Sequence, residues 1–283
     1  MSVLFGTSGN PEEFYNSGGK STLQAMKWLK QYGLDAYEYQ AGNGLNASEA
    51  TLAAIGDEAR LRGIRLSIHA PYFISLSSDD EEIKKRSIQH ITTCLSGARA
   101  LGAEIIVVHP GSAGKDRTAA FERVKHMLEE ILALTADEFG DIPIGLETMG
   151  KFGQLGTFDE VLELCGLDRR LRPVVDFGHL YARSLGERFN REDDYKSAFD
   201  KIADVLSADE AKRLHCHFSK IMYTKSGEKC HSTFADECFG PAFEPFVNFI
   251  AKEGLSPRVI CESKGTQAKD ALSMKKYYES IIR

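Results

Sequence analysis

Imidazole and carboxylate side chains recur along this chain at the ends of short apolar runs. His69 follows Leu66-Ser67-Ile68, His109 follows Ile105 to Val108, and Glu147 follows Ile144-Gly145-Leu146. Asp176 follows Val174-Val175, His215 follows Arg213-Leu214, and Glu262 follows Val259-Ile260-Cys261. Imidazole nitrogens and carboxylate oxygens brought to one place bind divalent cations. Burying so many polar groups without partners would be costly, and a cation of charge two or more offsets repulsion among the three carboxylates. The pattern points to a metal site, provided one fold gathers all six run-ends.

The elements between these residues supply that fold. A polar helical stretch, a glycine, an apolar run and a polar terminal residue repeat along the chain. Helical stretches are expected over Ser21 to Tyr32, Ser48 to Arg62, Asp80 to Leu101 and Thr118 to Phe139, with Gly33, Gly63, Gly102 and Gly140 as stops. Later ones run from Phe158 to Cys165, Tyr195 to Leu206, Phe243 to Glu253 and Ala268 to Ile282. Strands are expected at Val3 to Gly6 and Ala36 to Tyr39, followed by the six runs above. Eight strands alternating with helices imply parallel pairing through right-handed crossovers, hence a (β/α)8 TIM barrel. An open doubly wound sheet is the rival, but Gly6-Thr7-Ser8-Gly9 lacks the glycine spacing of a nucleotide-binding turn. No linker or low-complexity stretch interrupts the pattern, so residues 1–283 read as one domain. A barrel gathers its strand ends at one mouth, where function is sited.

With 283 residues, 42% of them hydrophobic, the chain can bury a full core. No stretch approaches the ~18 unbroken apolar residues of a membrane span, and the N-terminal residues lack the pattern of a signal peptide. The six cysteines show no CxxC spacing, and Cys216 and Cys261 fall inside apolar runs. This favours reduced thiols and a cytoplasmic protein. The formal charge of −6 gives no general attraction for nucleic acid, so any DNA contact needs a locally basic face. No obligate protein partner is implied.

Further candidates lie just beyond the strand ends. His179 follows Asp176 by three residues in Asp176-Phe177-Gly178-His179, and His231 sits in the loop after strand seven. His217 shares a strand side with His215, with Cys216 between them, and reads as a residue orienting a ligand or touching substrate. His90 and His126 fall mid-helix and read as surface or packing residues.

Together, Ser67-Ile68-His69-Ala70-Pro71-Tyr72, His109-Pro110-Gly111, Gly145-Leu146-Glu147-Thr148, Asp176-Phe177-Gly178-His179, His215 with Ser219-Lys220, and Cys261-Glu262-Ser263 resemble the endonuclease IV family. That family comprises zinc-dependent apurinic/apyrimidinic endonucleases within the xylose-isomerase-like superfamily. The resemblance runs from about residue 5 to 265. It implies that His69, His109 and Glu147 hold one zinc, and that Glu147, Asp176, His215 and Glu262 hold a second with Glu147 bridging. His179 and His231 would hold a third. The implied reaction is hydrolysis of the phosphodiester 5′ to an abasic deoxyribose in damaged double-stranded DNA, with Glu147 or Glu262 orienting or deprotonating the attacking water. Tyr72 and Phe73 match the family's loop that enters the duplex beside the lesion.

Three departures bear on this expectation. Where the family places an aspartate two residues before the last histidine, this chain has Lys229, a cation that opposes metal binding unless it points away and Glu228 supplies the carboxylate. The family's Asn-Asp after the strand-seven histidine is replaced by His217-Phe218. The loop Gln40-Ala41-Gly42-Asn43-Gly44 lacks the family's DNA-gripping arginine, and Glu38 is closer to the sugar-isomerase side of the superfamily. The alternative is therefore a sugar isomerase or epimerase holding one Mn2+ or Mg2+ on Glu147, Asp176, His215 and Glu262, with two carboxylates shuttling a proton.

Overall fold

The computed structural model describes residues 2–282; Met1 and Arg283 lie outside it. Ten strands occur, in chain order: β1 Leu4–Ser8, β2 Ala36–Gln40, β3 Arg65–His69, β4 Ile106–Val108, β5 Ile144–Glu147, β6 Leu171–Asp176, β7 His215–Phe218, β8 Ile221–Thr224, β9 Gly227–His231 and β10 Arg258–Cys261. Eight of them close a barrel in the order β1-β10-β7-β6-β5-β4-β3-β2, and every barrel pair is parallel. The fold is a (β/α)8 TIM barrel. Strands β8 and β9 form a separate antiparallel hairpin, inserted between the last two barrel strands.

Helices cover the barrel because their apolar faces need the outward-facing strand residues. Phe5, Leu66, Ile68, Ile106, Leu146, Val175, Cys216 and Val259 are buried in that helix-facing layer. The expected glycine stops hold: Gly63 and Gly102 take left-handed conformations (φ 67° and 70°) that end the helices Glu49–Arg62 and Glu81–Leu101. The helix expected up to Phe139 breaks instead at Thr135, whose hydroxyl bonds the Ile131 carbonyl and closes the segment Arg117–Leu134. Short helices at Glu12–Asn16, Phe177–Arg183 and Ala208–Lys212 carry too few residues to show a period. All six cysteines are free thiols. No helix among the described residues is long and apolar enough to cross a membrane.

Inside the barrel the filling is unusually polar. Only Ile105, Val107 and Val174 form an apolar cluster apart from the main core. Above and beside it the inward positions are Glu38, Ser67, His69, Glu147, Asp176, His215 and His217, all buried.

Candidate metal centre at the barrel mouth

Glu147, the last residue of β5, is 1% exposed and is the hub of the mouth. Its Oε2 lies 2.9 Å from His109 Nε2 and 3.2 Å from His69 Nε2. Its Oε1 lies 3.2 Å from His217 Nδ1 and 3.3 Å from His179 Nδ1. Four imidazoles, from β3, β7, the segment after β4 and the helix after β6, thus converge on one carboxylate. Burial works to raise the Glu147 carboxyl, but His217 and His109 outweigh it and hold it well below the usual carboxylate range.

Three donor sets surround this hub, each with ligand atoms within 4.8 Å of one another. They are His69, His109 and Glu147; Glu147, Asp176, His217 and Glu262; and His179, Glu228 and His231. The donor chemistry fits small divalent cations such as zinc. Asp176 supports the fit: Oδ1 caps the helix Phe177–Arg183 by accepting from the His179 N–H at 2.7 Å, while buried Oδ2 has no hydrogen-bond partner. Burial raises the Asp176 carboxyl, because leaving a charge there without compensation is unfavourable.

The second set differs from expectation at one position. His217, rather than His215, stands with Glu147, Asp176 and Glu262. Strand β7 starts at His215 and runs on to Phe218, so His217 pairs across from Asp176 and reaches the mouth. His215 sits two residues, about 6–7 Å, deeper, and its Nε2 meets Glu38 Oε2 at 3.0 Å. His217 thus stands in the four-residue set where His215 was expected, and His215 stands beside Glu38 and His217 in a set below it.

Lys229 is exposed to solvent, and Glu228 takes its place facing the site, with Oε2 3.5 Å from His179 Nε2. The cause is a bulge in the hairpin. Met222 pairs with Cys230 but Tyr223 pairs with Glu228, leaving Lys229 without an opposite residue. A regular strand would put Glu228 and His231 on opposite faces; the extra residue brings both to one face. His231 is held by Ser219 Oγ at its Nδ1, 2.8 Å away, and its Nε2 lies 3.7 Å from Glu262 Oε2.

Glu262 follows β10 and lines a mouth cavity of about 420 Å³ with His69, His109, Glu147, His179, Glu228 and His231. Ser8, Met149 and Gln154 at this mouth went unnoticed in the sequence, since lone residues of these types near strand ends carry no pattern. Ser8 Oγ donates to Glu262 Oε1 (3.1 Å), Gln40 Nε2 donates to Ser8 Oγ (2.8 Å), and Tyr72 Oη donates to Gln40 Oε1 (3.1 Å). This chain runs from the exposed rim to a site carboxylate. Tyr72 packs its ring against His69 and His109 at 5.0 and 5.6 Å, while Phe73 rests on His90 at 4.8 Å. Both Tyr72 and Phe73 are more than half exposed at the rim.

The loop cations divide into two groups. Arg117 is committed to Glu160, Arg183 to the Met149 and Lys151 carbonyls, and Lys220 to the Phe234 and Asp236 carbonyls. Lys115, Lys151, Lys225, Lys229 and Lys264 are exposed and form no ion pair among the described residues.

A family model described as "Xylose isomerase-like TIM barrel" matches residues 26–279. An uncharacterized protein of Methanocaldococcus jannaschii is 29% identical over 281 residues, covering 98% of this chain and 97% of that one. A "Probable endonuclease 4" of Listeria monocytogenes is 27% identical over 215 residues, covering 72% of this chain and 70% of its own. Among solved structures, endonuclease IV from Thermus thermophilus superposes with TM-score 0.73 at 18% identity, over 98% of this chain and 99% of that one. A D-tagatose 3-epimerase-like protein gives 0.68 at 20% identity, over 99% and 98%. At these identities the two superpositions speak for the fold alone.

Proposed function

The chain belongs to the xylose isomerase-like TIM barrel family, and from that membership we propose that it is a zinc-dependent phosphodiesterase of the endonuclease IV kind, cutting double-stranded DNA on the 5′ side of an abasic site. One observation carries this reading: donor sets exist on both sides of Glu147 beyond the four-residue set that an isomerase would use. A one-metal enzyme has no use for His69 and His109 on one side and His179, Glu228 and His231 on the other.

Zinc held by such sets lowers the pKa of coordinated water toward about 7 and offsets charge on phosphoryl oxygens. Glu147 sits between the first two sets and would be shared by them. Glu262 is the site carboxylate most open to solvent, anchored by Ser8, and would orient the attacking water and take its proton. The water oxygen bonds to phosphorus as the bond from phosphorus to the 3′-oxygen breaks, and that oxygen leaves as a hydroxyl. Tyr72 and Phe73 stand at the rim where an unstacked abasic nucleotide would enter, and Lys151 and the hairpin lysines are free to meet phosphate.

Metal analysis of protein purified without added metal, followed by an incision assay, tests the proposal. Two or three zinc ions per chain and a single nick beside an abasic analogue are expected, with His109→Ala abolishing the nick. One manganese or magnesium per chain together with turnover of a ketose would overturn it in favour of the epimerase reading. A full zinc complement without nicking would rule out this substrate.

A further inference from the structure

Beneath the mouth lies a second polar layer that none of the donor sets around Glu147 explains. Glu38 on β2 is fully buried. Its Oε2 accepts from Ser67 Oγ at 2.8 Å and meets His215 Nε2 at 3.0 Å. Its Oε1 faces His217 Nε2 at 3.1 Å. Neither of those two atoms has a hydrogen-bond partner elsewhere among the described residues, so each is the other's available partner. A buried carboxylate facing a buried ring nitrogen at this distance is a costly arrangement unless the two are joined.

His217 is also turned the opposite way from the other site histidines. His69, His179 and His231 aim Nδ1 at the Ala70 carbonyl, the Thr148 carbonyl and Ser219 Oγ respectively, all within 2.9 Å. Their Nε2 atoms are thereby left for the centre. His217 instead presents Nδ1, 3.2 Å from Glu147 and 3.6 Å from Glu262, and keeps Nε2 for Glu38. A histidine ligates only through an unprotonated nitrogen, and a hydrogen-bond acceptor at the other nitrogen decides which one that is.

We propose that Glu38 is a positioning residue that holds the proton of His217 on Nε2 and so presents Nδ1 as a ligand beside Glu147, Asp176 and Glu262. Ser67 and His215 fix the carboxylate in turn. Glu38, His215 and His217 also lie close enough to form a cation site of their own. Serving both layers at once would strip His217 of both ring protons, so a cation in this lower set would compete with the Nε2 proton that Glu38 holds. The inference rests only on the metal-binding part of the functional reading, which the phosphodiesterase and epimerase readings share.

Titration of metal-free protein with cobalt(II), followed by its visible absorption, tests the role. The wild type is expected to bind cobalt, and Glu38→Gln, which keeps the side-chain volume, to bind it about 10- to 100-fold more weakly with shifted bands at saturation. Equal affinity and identical bands in the variant would overturn the inference while leaving metal binding intact. A wild type that binds no cobalt would overturn the functional reading as well. Nitrogen-15 spectra of histidine-labelled, zinc-loaded wild type need no variant: a proton on His217 Nε2 is expected, and a proton on Nδ1 would refute the assignment.

Discussion

Nδ1 of His217 stands 3.2 Å from Oε1 of Glu147, joining the seventh and fifth strands across the barrel interior. The two are 70 residues apart in the chain, and the parallel pairing of β5 and β7 on either side of β6 brings them together. Because Glu147 also meets His69, His109 and His179, any cation held by one donor set shares its carboxylate environment with the next.

The two strand-seven histidines make the first prediction. His217→Ala should remove a ligand and weaken binding at the four-residue set by more than ~100-fold, beyond what loss of an outer partner costs. His215→Ala should keep the metal complement and instead lower stability by about 1–3 kcal/mol, since Glu38 loses a buried partner. Metal content by mass spectrometry, with thermal melts of the same samples, separates the two.

The hairpin makes the second. Glu228→Ala should cost the ion nearest His179 and His231, whereas Lys229→Ala should leave stoichiometry unchanged because Lys229 faces solvent. Equal zinc content in the two variants would mean that Glu228 is not a ligand.

Strand-end position was readable for most of the site because barrel strands alternate sides and their ends are marked by the first polar residue. On β7 both His215 and His217 face inward, and the first polar residue lies one layer below the four-residue set. Glu38 was visible as a departure, but its partners belong to β3 and β7, and no local pattern announces contacts set by barrel closure. The hairpin β8–β9 was missed for another reason: Lys225-Ser226-Gly227-Glu228-Lys229 is polar throughout and lacks apolar alternation.

Phe73 makes the third prediction. It is exposed and its ring touches only the His90 side chain among the ring contacts at the rim. If it stacks in an opened duplex, Phe73→Ala should weaken binding to abasic duplex by roughly 1–3 kcal/mol, about tenfold or more. Metal content and melting temperature should not move. Fluorescence anisotropy with a labelled abasic duplex reads the change, and unaltered binding would remove Phe73 from the interface.

The fourth concerns the loops that frame the mouth. Arg117 reaches Glu160 through two hydrogen bonds (2.6 and 2.7 Å) and also holds the Phe152 and Gln154 carbonyls. Glu160 completes the capping box of the helix Phe158–Cys165. Partial burial works to raise the Glu160 carboxyl, but Arg117 and the Thr157 and Gly156 N–H groups outweigh it and hold it below its usual 4.5. A carboxylate with a depressed native pKa adds stability above its unfolded value and loses it as the pH falls through the native one. Glu160→Gln should therefore cost about 1–2 kcal/mol at pH 7, allowing for solvent screening. The gap to wild type should close as the pH falls below 4.5, and a gap independent of pH would show that the charge is not what matters.

The unpaired Lys229 changes how this centre could diversify. In a ladder that alternates strictly, no substitution can move Glu228 and His231 to the same side, but adding or deleting one residue rotates the rest of the strand by half a turn. Deleting Lys229 would restore the alternation and send one of the two toward solvent, with every other donor around Glu147 untouched. If His179, Glu228 and His231 hold an ion, the number of ions in this barrel is coupled to chain length at one hairpin position, and a one-residue indel there changes it with every ligand residue retained.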